Sequence, residues 1–342
     1  MAEVLGKHVG RLAPSPTGAL HLGNVRTFMI AWLRARSQNG TVILRMEDLD
    51  HPKDKPGADV QAIEDLAWLG FDWDKTYVQS RRKPIYKEAL DDLRSQSVQL
   101  FPRPRFPFPL SSQPKKPKTQ TTQTLPLVYP CTCTRRDVES AQSAPHAGEQ
   151  LHYPGTCRGR YATFPKGACW RFLVPEGTVV AFDDAFAGPV EQDVSKTLGD
   201  FPLARDEGGA GYTLACTVDD LLMGVTEVVR GDDLLPATPA QILLARALAP
   251  RYQLSASNCH LPSYCHVPLV VGPDGKRLAK RHGDSRIATY REQGKSPEEI
   301  LGFLAASCGW CAKGERISLR DLIPRFTLAT IPHSPFVLDS GF

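Results

Sequence analysis

The chain has 342 residues, 42% of them hydrophobic, with a formal net charge of +4 and nine cysteines. That length suits one large catalytic domain with insertions, or two ordinary domains, and the apolar fraction excludes global disorder. So small a positive excess leaves any RNA contact to a local patch. No apolar run is long enough to predict a membrane span, and no charged-then-apolar leader opens the chain. With an odd cysteine count, the expectation is a reducing cytoplasm, where close Cys pairs are read as metal ligands or chance before disulfides.

The first hundred residues alternate strands and helices. Val9 to Ala13 reads as a strand; Val25, Phe28, Met29, Trp32 and Leu33 predict a helix from Leu22 to about Arg36. Thr41 to Met46 is a β-rich run ending in Glu47-Asp48-Leu49-Asp50, and a second helix is predicted over Asp59 to Leu69. Tyr86 to Leu93 reads as part of a third. This order favours a parallel sheet with crossover helices.

Between Val98 and Leu127 the periodicity ends. Phe101-Pro102-Arg103-Pro104-Arg105-Phe106-Pro107 gives way to Gln/Thr/Lys/Pro sequence, which removes backbone donors and predicts a disordered surface insertion. Tyr129 to Leu203 is Cys-containing and turn-rich. Gly211 to Leu235 reads as strand-like apolar runs, Thr238 to Leu248 as a helix and Pro262 to Leu269 as a strand. The loop from Gly272 to Lys280 follows. Ser296-Pro297-Glu298-Glu299 is a helix start, with Ile300, Leu301, Phe303 and Leu304 as its apolar face.

The strongest local signal is Arg11-Leu12-Ala13-Pro14-Ser15-Pro16-Thr17-Gly18-Ala19-Leu20-His21-Leu22-Gly23-Asn24. Here a strand enters a Pro/Gly turn and a helix starts at once, a junction that aims backbone N–H groups and the positive helix end at a ligand. Gly23 leaves room for an adenine ring, and His21 and Asn24 are placed to donate to a triphosphate. A second signal is Cys131-Thr132-Cys133 with Cys157: three thiolates for a tetrahedral zinc, with His146 or His152 as the fourth ligand by spacing. Cys308-Gly309-Trp310-Cys311 has C-x-x-C spacing without the βαβ context or second Cys pair of a redox or metal motif. His260 and His266 flank an apolar stretch and read as packed or near phosphate rather than metal-bound.

Pro14 to Asn24 resembles the HIGH region of class I aminoacyl-tRNA synthetases, in their glutamyl/glutaminyl branch. Leu44-Arg45-Met46-Glu47-Asp48-Leu49-Asp50 is similar to the acidic strand end that follows it there. Val225-Thr226-Glu227-Val228-Val229-Arg230-Gly231-Asp232-Asp233-Leu234 is similar to the branch's second-half Rossmann segment, and Lys276-Arg277-Leu278-Ala279-Lys280-Arg281-His282-Gly283 to its KMSKS loop. The resemblance implies activation of L-glutamate by ATP, with Mg2+. Such chemistry needs positioning and charge stabilisation on the phosphates more than acid or base catalysis. Lys280 is then expected to contact ATP in the transition state, alongside His21, Gly23 and Asn24.

Glutamate carries two carboxylates and one ammonium, so its site needs cationic forks and a carboxylate. The resemblance assigns these roles to Arg11, the stretch Leu12-Ala13-Pro14-Ser15, Glu47, Tyr212 and Arg230, with Glu47 taking the ammonium. A structural alternative pairs Arg230 with Asp232 or Asp233 and makes Tyr212 a core aromatic. Cys-x-Cys followed by Tyr-x3-Cys further resembles the zinc site of the glutamyl-Q tRNA(Asp) synthetases, which implies Tyr153 as the fourth ligand beside Cys131, Cys133 and Cys157. Members of that group attach glutamate to the queuosine base of the tRNA(Asp) anticodon and have no anticodon-binding domain. About sixty residues follow the Lys280 loop, too few for that domain. The resemblance runs from Arg11 to about Leu338, departing from the group in the 98–127 insertion and in a long Cys133–Tyr153 spacing.

The expected fold is therefore α/β: a split Rossmann catalytic domain of class I synthetase type with a zinc-containing insertion and a small helical C-terminal part. Its expected divisions are 1–97 and 204–290 for the two Rossmann halves, 98–127 for the low-complexity insertion, 128–203 for the zinc-containing insertion and 291–342 for the helical segment. A cytoplasmic monomer is expected. The rival readings are a shortened glutamyl-tRNA synthetase charging the tRNA 3′ end and a non-catalytic tRNA-binding relative.

Overall fold

The computed structural model describes residues 7–49, 55–100, 123–141, 151–206, 209–252, 261–276, 278 and 285–338. Strand β1 (Val9–Leu12) leads through the Pro/Gly turn into α1 (Leu22–Arg36), followed by β2 (Thr41–Met46), α2 (Ala58–Trp68), β3 (Lys75–Val78) and α3 (Lys83–Ser95). β1, β2 and β3 pair in parallel in that order. The α1 crossover forms because Val25, Met29, Trp32 and Leu33 fall on its buried side, while Arg34 and Arg36 complement the negative helix end.

The ends of the low-complexity segment correct the expectation of an insertion without structure. β4 (Ser97–Leu100) and β5 (Gln123–Pro126) form an antiparallel ribbon, with Val98 opposite Leu125. Val98, Leu100 and Leu125 pack against the core that contains Cys131 and Tyr153, and this apolar contact holds the ribbon. Residues 101–122 lie outside the described residues.

The middle of the chain folds as β6 (Val128–Cys131), α4 (Arg135–Ala141), β7 (Cys169–Phe172), β8 (Val179–Asp184), β9 (Gly188–Asp193), α5 (Val194–Thr197) and β10 (Phe201–Ala204). β10, β7 and β6 make an antiparallel sheet in that order. A second correction follows: Tyr212–Leu222, read as strand-like, is helix α6, because Leu214, Ala215, Val218 and Asp219 recur at helical rather than alternating spacing. β11 (Glu227–Gly231), α7 (Thr238–Leu248) and β12 (Ser263–Val267) come next, with β11 and β12 parallel and β8 and β9 extending that sheet.

The parallel sheet of β1 and the mixed sheet of β11, in which β8 and β9 are antiparallel, meet at those two strands. Val9 N donates to Thr226 Oγ1 at 2.9 Å, and Thr226 N donates back to the Val9 carbonyl at 2.9 Å. The short strand β13 (Val270–Val271), helices α8 (Ile287–Glu292), α9 (Pro297–Ala306) and α10 (Leu319–Leu322), and β14 (Phe336–Val337) complete the chain. Ser296 and Glu299 form the capping box expected at the start of α9. Gly302 lets the chain cross α9 closely: a Cβ there would sit 1.8 Å from the Glu315 carbonyl oxygen. Leu301, Leu304 and Trp310 join α1 and β2 in one apolar core, while α3, α6 and α7 share another with β7 and β10. No helix among the described residues is long and apolar enough to cross a membrane.

α6 is locked to α3 by one buried carboxylate. Asp219 has no solvent exposure and accepts from Gln79 Nε2 at 3.0 Å, Arg82 Nε at 2.8 Å and Tyr86 Oη at 2.8 Å. Burial, then Asp219 itself, pushes the Tyr86 phenol far above its ordinary value, so it stays a donor. Replacing Asp219 by Ala strands the Arg82 charge and the other two donors, and is expected to cost about 3–5 kcal/mol in urea unfolding.

Candidate active site

A cleft of about 460 Å³ opens at the carboxyl ends of β1, β2 and β11, where open α/β sheets bind ligands. Its walls include Arg11, Ser15, His21, Glu47, Tyr212 and Arg230. Ala13, Pro14, Gly23 and Asn24 also face it, so the cleft brings residues 11–47 together with residues 212–270. Leu12 is the exception: its side chain is fully buried in the core and does not line the cleft. β1 alternates, sending Arg11 toward the cleft and Leu12 into the core.

The floor is a buried charge network that the sequence reading missed. Arg45 has no exposure, and its Nη1 donates to Asp220 Oδ1 at 2.6 Å while Nη2 donates to Glu47 Oε1 at 3.0 Å. Burial works against its charge, but Asp220 and Glu47 outweigh that and hold the guanidinium more firmly protonated than usual. The Cys216 thiol donates to the same Glu47 oxygen at 3.2 Å. Burial and the nearby Glu47 push that thiol well above its ordinary range, so it remains S–H. The Glu47 amide donates to the Pro14 carbonyl at 2.9 Å, fixing the acidic strand end to the Pro/Gly turn. Arg11 completes the floor, donating from Nη1 to the Val229 carbonyl at 2.8 Å, with Nε 3.8 Å from Asp220.

Arg230 has other partners than Asp232 or Asp233. Its Nε donates to His266 Nε2 at 3.0 Å, its Nη2 to Thr238 Oγ1 at 2.8 Å and its Nη1 to Tyr212 Oη at 3.3 Å. Tyr212 is 42% exposed and lines the cleft rather than filling a core. A guanidinium carries five N–H donors in a planar fork. His266 and Thr238 take up its Nε side, and the end-on edge between Nη1 and Nη2 lies beside the Tyr212 hydroxyl. Behind it, His266 Nδ1 donates to Asp184 Oδ2 at 2.6 Å, and the His266 amide donates to Oδ1 at 3.0 Å. Burial resists the Asp184 charge, but the His266 bonds and the Ala187 and Phe186 amides hold the carboxyl below its ordinary range. Burial likewise pushes the His266 imidazole below the usual histidine value. His266 was placed in the sequence as packed, which it is, but its bond to Arg230 had no local signal.

His21 is the N-cap of α1. Its Nδ1 accepts from the amides of Gly23 at 3.1 Å and Asn24 at 3.4 Å, and Asn24 Oδ1 accepts from the His21 amide at 3.2 Å. Two bonds into Nδ1 put the neutral ring's proton on Nε2. Gly23 fits closely here: a Cβ would lie 3.0 Å from that imidazole, which would have to shift by a few tenths of an ångström. The backbone on either side of His21 is tied to a distant segment: Leu22 N donates to the Ser285 carbonyl at 3.0 Å, and Ile287 N to the Leu20 carbonyl at 2.9 Å. Lys280 and the rest of 279–284 lie outside the described residues, as does His260.

A second site lies at the end of β6. The sulfurs of Cys131, Cys133 and Cys157 all lie within 4.8 Å of one another, the one such metal-capable group among the described residues. Tyr153 Oη is 3.2 Å from Cys131 Sγ and 3.7 Å from Cys133 Sγ, and it accepts from the Cys157 amide at 2.9 Å. His152 turns away, its Nε2 3.0 Å from the Ser195 carbonyl, and His146 lies outside the described residues. Arg171 on β7, missed from sequence, sits 3.9 Å over the Tyr153 ring. Cys308 and Cys311 are free thiols; Cys308 is buried beside Ser307, and Cys311 donates to the Gly302 carbonyl.

The model for the catalytic domain of class I (E and Q) tRNA synthetases matches residues 7–98 and 129–337, passing over the proline-rich segment. A glutamyl-Q tRNA(Asp) synthetase of Rhodopirellula baltica is 42% identical over 98% of this chain and 98% of its own length. One from Symbiobacterium thermophilum is 41% identical over 95% of this chain and 94% of its own. The glutamate–tRNA ligase of Aquifex aeolicus is 35% identical over 96% of this chain and 63% of its own length. Among solved structures, a glutamate tRNA ligase from Elizabethkingia meningosepticum in complex with its amino acid superposes with a TM-score of 0.74 at 25% identity, covering 98% of this chain and 68% of that one. The mixed α/β fold is thus that of the class I synthetase catalytic domain. This chain belongs to the class I glutamyl/glutaminyl tRNA-synthetase family of ligases and, within it, to the group of glutamyl-Q tRNA(Asp) synthetases.

Proposed function

We propose that the protein activates L-glutamate with ATP to glutamyl-adenylate, releasing pyrophosphate, and then transfers the glutamyl group to a hydroxyl of queuosine in tRNA(Asp). The observation that carries the glutamate half is the cleft's charge pattern. The end-on edge of Arg230 and the Tyr212 hydroxyl meet one carboxylate, Arg11 meets the other, and Glu47 takes the ammonium. The attacking α-carboxylate then needs only to be held in line with the α-phosphate of ATP.

His21 Nε2–H and the Asn24 side chain, at the positive end of α1, are assigned to the phosphates. Lys280 is assigned to charge that develops in the transition state. It precedes Ser285 by five residues, so an extended chain lets it lie up to roughly 17 Å from that anchored point, close enough to reach the cleft. Mg2+ enters with ATP as substrate, held chiefly by phosphate oxygens. The acceptor rests on the higher identity to glutamyl-Q tRNA(Asp) synthetases than to glutamate–tRNA ligase.

The residues of the second site fit a structural zinc. Three sulfurs and the Tyr153 oxygen form a four-ligand, sulfur-rich set of the kind tetrahedral Zn2+ takes. The buried Arg171 Nε, without a described hydrogen-bond partner, brings positive charge beside this anionic group. Cys131, Cys133, Tyr153 and Cys157 would hold the ion, and its chemistry there is to cross-link β6 to the 153–157 turn.

Glutamate-dependent ATP–pyrophosphate exchange without tRNA, with stable glutamate transfer only to queuosine-containing tRNA, is the expected result. Exchange that requires tRNA, with charging indifferent to queuosine, would identify a 3′-end-charging synthetase instead. Lys280→Ala is expected to retain glutamate binding by calorimetry but to lower the exchange rate by about tenfold or more; an unchanged rate rules out its assigned role. Metal analysis is expected to find zinc in the parent protein, and Cys131→Ser to lose it along with thermal stability.

A further inference from the structure

We propose that His266, held by Asp184, is a positioning residue that makes Arg230 selective for a carboxylate over a carboxamide, so that glutamate is taken and glutamine refused. The inference rests on the reading that Arg230 binds a glutamate carboxylate.

The geometry is that of a fixed tautomer. Asp184 accepts twice from His266, from the amide and from Nδ1, and it also accepts from the Phe186 and Ala187 amides, so it has no reason to turn. With the ring proton on Nδ1, Nε2 is a lone pair and nothing else. That lone pair meets Arg230 Nε at 3.0 Å, and Thr238 Oγ1 lies 3.0 Å from it and 2.8 Å from Nη2. His266 and Thr238 together therefore occupy one edge of the guanidinium and prevent it from rotating about its long axis. The edge left to the cleft presents N–H groups only. A carboxylate offers two acceptors to such an edge, whereas an amide must turn one –NH2 toward a donor, which leaves buried polar groups unpaired.

The device works only while His266 is neutral. A proton on Nε2 would set donor against donor and charge against charge at Arg230. The charged and titratable groups facing the ring are Asp184 on β8, Arg230 on β11, Asp232 after β11, and Arg11 on β1. Tyr264 stacks at 6.1 Å between ring centres. Burial is the largest influence, followed by Asp184 acting the other way and Arg230 reinforcing the first, and the net result lies below the usual histidine value. Since protonation is the unfavourable form in the folded protein, the selective state is intact at neutral pH and is lost as pH falls through that lowered value.

The test measures kcat and KM for glutamate, KM for ATP and use of glutamine in pyrophosphate exchange, across pH, for the parent, His266→Leu, His266→Gln and Arg230→Lys. His266→Leu is expected to raise the glutamate KM about tenfold or more and to narrow the preference over glutamine, with the ATP KM nearly unmoved. His266→Gln keeps an acceptor toward Arg230 and is expected to restore most of the affinity. It should also abolish the rise in glutamate KM that the parent shows on the acid side. A folded His266→Leu enzyme with parental glutamate KM, preference and pH profile would overturn the proposal. If thermal melts show that His266→Leu does not fold, the pH profile of His266→Gln decides: a parental acid-side rise overturns it. Arg230→Lys separates the two levels, since an unchanged glutamate KM there would instead remove the underlying reading of Arg230.

Discussion

Arg45 carries a full charge at zero exposure, bonded on one side to Asp220 and on the other to Glu47. Removing a guanidinium from water costs several kcal/mol, which is offset only when its partners are close and well directed. Asp220 belongs to α6, in the second half of the chain, and Glu47 to the end of β2, in the first. The need to neutralise Arg45 thus obliges the halves to close on each other in one register. That closure sets the position of the Glu47 carboxylate, brings Asp220 under Arg11 and forms the floor of the cleft. The Cys216 thiol donates to the same Glu47 oxygen, Oε1, that Arg45 holds, so these bonds all fall on one side of the carboxylate.

The remaining parts of the cleft follow the same logic of acceptors used up in advance. His21 spends its Nδ1 on the first turn of α1, which decides where its proton sits. Asp184 does this for His266, and His266 for Arg230. His21, Glu47 and Arg230 each have their orientation fixed by bonds to the protein on the side away from the cleft, which pre-organises them.

Much of the fold was legible because its signals are local. α1, β2 and α7 fall where periodicity placed them, and Ser296 with Glu299 announced the start of α9. The misreading of α6 as strand came from a short apolar run, in which helix and strand spacing are hard to separate. The β4–β5 ribbon was hidden because its two strands are separated by a proline-rich stretch and find their stability in a distant core. The lining of the cleft could be named from resemblance, Leu12 excepted, but its supports could not. Arg45, Asp220 and His266 gave only weak hints, charges or an imidazole inside apolar runs, and their partners lie far away in sequence.

β1 has a consequence for how the protein is made. Its neighbour on one side, β2, follows within about thirty residues, but the partner on the other side is 217 residues downstream. At roughly 5–20 residues per second, translation leaves that edge of the strand without its neighbour for about 10–45 s. An open strand edge is a template for pairing with other chains. Expression at high ribosome loading, or without the chaperones that shield nascent edges, therefore favours aggregation of this chain for reasons that lie in its wiring rather than in the stability of the finished fold.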